Sequence, residues 1–212
     1  MSAPGDLAEV PPEFLTALAD LRRASCRPEL YLHEVPAPSR LAPYSVAMGA
    51  DITEQGSSPA DDAHGTTAYG LAHSDGDTLA TGRFILLHSP EGSSLWEGTF
   101  RIVTYIRARL EPDMGNDALL GSVAWTWLLD ALKDRGANHS LAGGTATRIL
   151  SESFGSLEGR PDGIDVELRA SWTPVRGRVT SHLEAWSDMV CTFAGLPPIP
   201  EGVASLPHLR RN

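Results

Sequence analysis

Between Leu95 and Leu110 the sequence LWEGTFRIVTYIRARL alternates apolar and polar residues for sixteen positions. Trp96, Phe100, Ile102, Ile106 and Leu110 share one parity, and Glu97, Arg101, Arg107 and Arg109 share the other. An extended chain here sends the first set to a dry face and the second to a wet one. The pattern predicts a strand in an antiparallel sheet that is buried on one side. The run before it, Thr78 to His88, is apolar on both parities, as a central strand is, and Pro90 and Gly92 in HSPEGSS mark a hairpin turn. The turn length is open by one residue, so either Phe84 or Ile85 joins Trp96 and Phe100 inside.

A helical period appears at three places. Pro11 and Pro12 open a short amphipathic helix with Phe14, Leu18 and Leu21 on one side. Asp117 to Asp134 carries Leu119, Leu120, Val123, Ala124, Trp127, Leu128, Ala131 and Leu132 in one wide apolar stripe and stops at Gly136. The last helix starts at a capping box from Ser181 to Glu184, turns Leu183, Trp186, Met189, Val190 and Phe193 inward, and ends at Gly195. Strand patterns occupy Glu29 to Val35, Ser45 to Ile52, Gly144 to Phe154 and Ile164 to Trp172. The expected fold is a single α+β domain over residues 9–207, with an antiparallel sheet of about six strands. Two long helices pack on one face of that sheet, and the short N-terminal helix packs at an edge. The order hairpin, helix, hairpin, helix hints at two related strand-strand-helix units, although any sheet covered on one face produces a similar rhythm.

Composition refines this picture. The 212 residues suffice for one sizeable core. No apolar run approaches the ~20 residues of a spanning helix. The first residues, MSAPGDLAEVPPEF, have neither the basic cluster nor the apolar stretch of a targeting segment, so a cytoplasmic location is expected. Cys26 and Cys191 are read as reduced thiols, not a disulfide. A net charge of −10 argues against nucleic acid as a partner. Asp51, Glu54, Asp61, Asp62, Asp75 and Asp77 carry −6 of that charge with no Lys or Arg among them. The segment 53–77 shows no period and is expected to be an acidic flexible loop, with residues 1–8 and 208–212 as frayed termini.

The chemistry-bearing patterns are weak. None of the seven histidines pairs at metal-ligand spacing, and neither cysteine lies near one. No nucleophile elbow occurs, and the acidic run Glu111 to Asp117 fits helix capping by Asp113 or Asn116 better than a calcium loop. No catalytic residue, metal or cofactor is assigned. A charged sheet face remains as the binding candidate, with Glu97, Arg101, Arg107 and Arg109 on one strand and Asp165, Glu167 and Arg169 on another. Guanidinium groups there can grip a carboxylate or phosphate, and cross-strand ion pairing on a solvated face explains the same residues. Arg83 and His88 join the candidates as anion holders in a pocket between sheet and helices. Trp125, off the main stripe of its helix, either caps the core or lies at a dimer interface. The oligomeric state stays open.

The stretches RPELYLHEVPAPSRLAPYSVAM, ATGRFILLHSPEGSSLWEGTFR, GTATRILSESFG, ELRASWTP and CTFAGLPPIPEGVASLP together resemble the DUF3000 family, from about Pro11 to Pro207. The resemblance implies a small cytoplasmic actinobacterial protein with no assigned reaction, and it transfers no functional residue. The family's genes are described as lying near one for a ribonuclease D-like protein, which implies an RNA-related context. The leading expectation is a non-catalytic binding or adaptor protein that engages an unknown protein partner through the charged sheet face or the proline-rich segment Val35 to Tyr44. The alternatives are a carrier or enzyme for a small anionic ligand and an RNA-associated accessory protein.

Overall fold

The structure, a computed structural model, describes residues 10–54, 78–110, 118–159, 162–175 and 178–198. Most of the expected acidic loop, the run 111–117 with its capping candidates and both termini lie outside these residues. Among the described residues the elements in chain order are α1 (Pro12–Arg22), β1 (Tyr31–Val35), β2 (Tyr44–Thr53), β3 (Thr78–Ser93), β4 (Gly98–Leu110), α2 (Leu120–Asp134), β5 (His139–Ser151), β6 (Gly163–Pro174) and α3 (Thr180–Phe193), with a 3-10 turn at Gly155–Leu157. The strands form one antiparallel sheet in the order β1-β2-β3-β4-β6-β5. The chain is a single α+β domain, with the helices on one face of the sheet. Among the described residues, no helix is long and apolar enough to cross a membrane.

Parity decides which side chains meet the helices. Phe84, Leu86, Phe100, Ile102, Ile106, Leu168 and Trp172 turn inward and are buried. The register Phe84↔Thr104 and Ile85↔Val103 settles the open question, because Phe84 is buried and Ile85 lies on the opposite face. Trp96 departs from expectation. Strand β3 runs on to Ser93, and residues 94–97 form a four-residue turn in which the Trp96 and Glu97 amides both donate to Ser93 O. Glu97 takes the left-handed conformation at φ 51°. The turn breaks the alternation, so Trp96 is half-buried outside the core and Glu97 leaves the charged face. His88 lies on the helix side, where it was expected, and is fully buried among the rings of Phe14, Tyr44 and Phe100, whereas Arg83, expected with it between sheet and helices, is exposed on the opposite face. Its Nδ1 lies 3.1 Å from the Thr99 carbonyl.

Helices α2 and α3 end in the same way. The Gly136 amide donates to Lys133 O and the Ala137 amide to Leu132 O, and the Gly195 and Leu196 amides repeat this on Thr192 O and Cys191 O. Both glycines have positive φ, 60° and 75°, which a residue without Cβ adopts at little cost. The expected capping box of α3 is absent. Its N-cap is Val179, and Glu184 is engaged elsewhere, accepting from the Ser25 amide at 2.8 Å and lying 3.7 Å from Arg135. Trp125 packs over Gly144 of β5, where a Cβ would come within 3.0 Å of its ring.

The two hairpins β3-β4 and β5-β6 meet through their second strands, and each is followed by a helix. Helix α2 packs on β5, and α3 packs on β3 and β4.

Candidate functional site

The described helices leave one sheet face uncovered, and five of the seven candidate residues, Arg83, Arg101, Arg107, Arg109 and Arg169, lie on it. The registers set His33, Gly49, Arg83, Tyr105, Arg169 and Thr145 in one row across the sheet. The next row holds Asp51, Thr81, Arg107, Glu167 and Thr147. These charges largely satisfy one another. Arg107 Nη2 donates to Asp165 at 2.6 Å, Arg169 Nη2 to Glu167 at 3.2 Å, and the Tyr105 hydroxyl to Glu167 at 2.8 Å. The Arg169 guanidinium also sits 5.6 Å above the Tyr105 ring. Burial, reinforced by the bond to Glu167, pushes the Tyr105 phenol up to about 12. The Arg107 guanidinium is raised above its ordinary value first by its bond to Asp165. Arg83 and Arg109 are exposed.

Arg101 differs from its neighbours. It lies four residues before Tyr105 on the same face, roughly 13 Å along the strand. Opposite this end, β6 offers Ser171 and Thr173 in place of acids. The half-buried guanidinium donates from Nη1 to Leu141 O at 3.0 Å and to Thr173 Oγ1 at 3.1 Å, and from Nη2 to Ser171 Oγ at 2.7 Å. All three acceptors are neutral. Burial alone pulls Arg101 below its ordinary pKa, whereas carboxylates raise Arg27, Arg107 and Arg135. The cradle is held from behind, since the Thr173 hydroxyl donates to Trp96 O at 2.6 Å. Leu141 presents its carbonyl from the irregular start of β5 at φ 52°, a costly conformation for a side chain with Cβ.

Over Arg101 opens a recess of about 680 Å³, within the usual range for small-molecule sites. Leu41, Ala42 and Pro43 of the proline-rich segment form one wall, Leu87 and Val103 the apolar floor, and the turn from Gly92 to Trp96 the far side. Two candidates that the sequence left separate, the arginine face and the proline-rich segment, thus meet in one place. Arg83, Arg107, Arg109 and Arg169 lie away from the recess, Glu97 is in the turn outside it, and His88 is on the other side of the sheet. Ser171, Thr173, Leu141 and the Trp96 contribution went unnoticed in the sequence. The first two share parity with Arg169, a signal that becomes useful only once β6 is paired with β4. Among the described residues, no group of three His, Cys, Asp or Glu side chains is placed to hold a metal ion.

A family model described as a protein of unknown function, DUF3000, matches residues 10–204. The chain belongs to that family. No curated protein and no solved structure matches it.

Proposed function

For this member of a family without an assigned reaction, we propose a cytoplasmic, non-catalytic binding protein that works through the helix-free face of its sheet, with the recess over Arg101 as an anion seat. One observation carries the reading: a half-buried guanidinium with three neutral acceptors, and no carboxylate among the described residues, stands in the floor of a recess. Desolvating a cation without a counter-charge costs stability, and a bound anion recovers that cost. The cross-strand pairs around Tyr105 support the same division of labour, because they give Arg107 and Arg169 the carboxylate partners that Arg101 lacks among the described residues. The free thiols of Cys26 and Cys191 accord with a reducing compartment.

Thermal unfolding of the wild-type chain and of Arg101→Gln against a panel of metabolite anions tests this reading. A ligand at about 100-fold excess over its dissociation constant adds ~2.7 kcal/mol, which is roughly 5 to 11 °C in Tm for a chain of this size. The stabilisation is expected in the wild type and lost in Arg101→Gln. A panel that is flat for the wild type, or equal shifts in both proteins, refutes the anion seat.

A further inference from the structure

The binding reading leaves the ligand's chemistry open, and the donors of Arg101 narrow it. A guanidinium has five N–H groups. Both on Nη1 and one on Nη2 are used. The Nε–H and the second Nη2–H remain without an acceptor among the described residues. They sit on adjacent nitrogens, the spacing that matches the two oxygens of one carboxylate. Among the described residues, Arg101 is the only charged one lining the recess. A single positive charge with one fork suits a planar monoanion. A phosphate dianion with three oxygens to satisfy calls for more cations than the recess supplies.

The remaining lining sets the rest of the ligand. Leu41, Pro43, Leu87, Val103 and Trp96 offer an apolar surface beside the guanidinium. Leu41 is 55% exposed, with area still to bury. Resting on the binding reading above, we infer that the recess takes a small monocarboxylate with an apolar body, its carboxylate forked on Nε and Nη2 of Arg101 and its hydrocarbon part against Trp96, Leu41 and Val103. The Ser171 and Thr173 hydroxyls hold the guanidinium plane in position. The Thr173 hydrogen is directed to Trp96 O, so its lone pairs face Arg101.

The test is a titration of the full chain with acetate, butyrate, hexanoate and octanoate, with the matching primary alcohols and sulfate as comparison probes. Binding is read from the Arg101 Nε–H and Trp96 indole N–H signals in NMR spectra, the latter identified with Trp96→Phe. Each methylene that enters the recess is expected to tighten binding about fourfold, from ~0.8 kcal/mol per buried CH2. Alcohols bind at least tenfold more weakly than the acids. Arg101→Lys keeps the charge and loses the fork, and weakens octanoate at least tenfold. Leu41→Ala alters an exposed side chain, so it tests the apolar wall without threatening the fold; it is expected to flatten the dependence on chain length and leave acetate unchanged. Equal binding of sulfate and all acids, with Arg101 signals shifting, overturns the monocarboxylate assignment and leaves an anion seat. No shift at Arg101 with any probe overturns both readings.

Discussion

His182 provides a titratable weak point in the core. It stands in the first turn of α3, 1% exposed, and its Nδ1 accepts from Trp172 Nε1–H at 3.0 Å. Burial first, and the nearby His139 second, lower it from 6.5 to about 4, while a hydrogen bond to the Asn138 backbone acts weakly the other way. Protonation places a hydrogen on Nδ1 facing the Trp172 donor, so the charged form loses this bond as well as its hydration. Between pH 6.5 and about 4 the unfolded chain therefore binds more protons at this site than the native one, and stability falls as the pH drops through that window. At about 1.4 kcal/mol for each pH unit, the drop amounts to about 3 kcal/mol. Urea unfolding of the wild type and of His182→Asn at pH 7.5, 5.5 and 4 measures it. Asn keeps an acceptor near the Nδ1 position and does not titrate, so subtracting its curve removes the contribution of the carboxylates common to both proteins. The wild type is expected to lose about 3 kcal/mol more than His182→Asn across the range. A difference that stays constant with pH refutes the reasoning.

Two further substitutions probe the edge strand that feeds the recess. Gly144→Ala places a Cβ 2.5 Å from the Arg169 carbonyl and 3.0 Å from the Trp125 ring. Backbone gives way less readily than side chains, so a destabilisation of about 1 to 3 kcal/mol is expected in urea unfolding. Leu141→Gly removes a Cβ from a residue at φ 52° that is 43% exposed, and relief of strain offsets the usual loss of ~1 kcal/mol for glycine in a strand. A measured loss above about 1.5 kcal/mol contradicts that account.

The dry face of β4 was legible because Phe100, Ile102 and Ile106 keep a strict period of two on a strand packed against helices. Trp96 was misplaced by the same counting, since parity carries no record of a turn that Glu97 closes in the left-handed region. The Ser181 to Glu184 pattern fails for a different reason: the Glu184 carboxylate has partners in Ser25 and Arg135 from segments distant in sequence. Arg101, Arg107 and Arg109 look alike along the chain. What separates Arg101 is the strand opposite, which offers hydroxyls at Ser171 and Thr173 and acids at Asp165 and Glu167. That distinction depends on the β4–β6 register, which brings together residues 54 to 70 positions apart, so no local pattern contains it.

The exchange of helices between the two hairpins bears on how the protein comes to be folded. An N-terminal fragment ending after α2 has a sheet face that waits for α3, and a helix that waits for β5. Neither half has a finished interior, so acquisition of structure is expected to be all-or-none and slowed by the long loops that must close first. On the ribosome, the leading portion emerges with Phe84, Ile102 and Ile106 uncovered until Trp186 and Val190 have been synthesised. The chain is therefore exposed to aggregation during translation more than in its completed state, and two separately produced halves should recover the native form only when mixed.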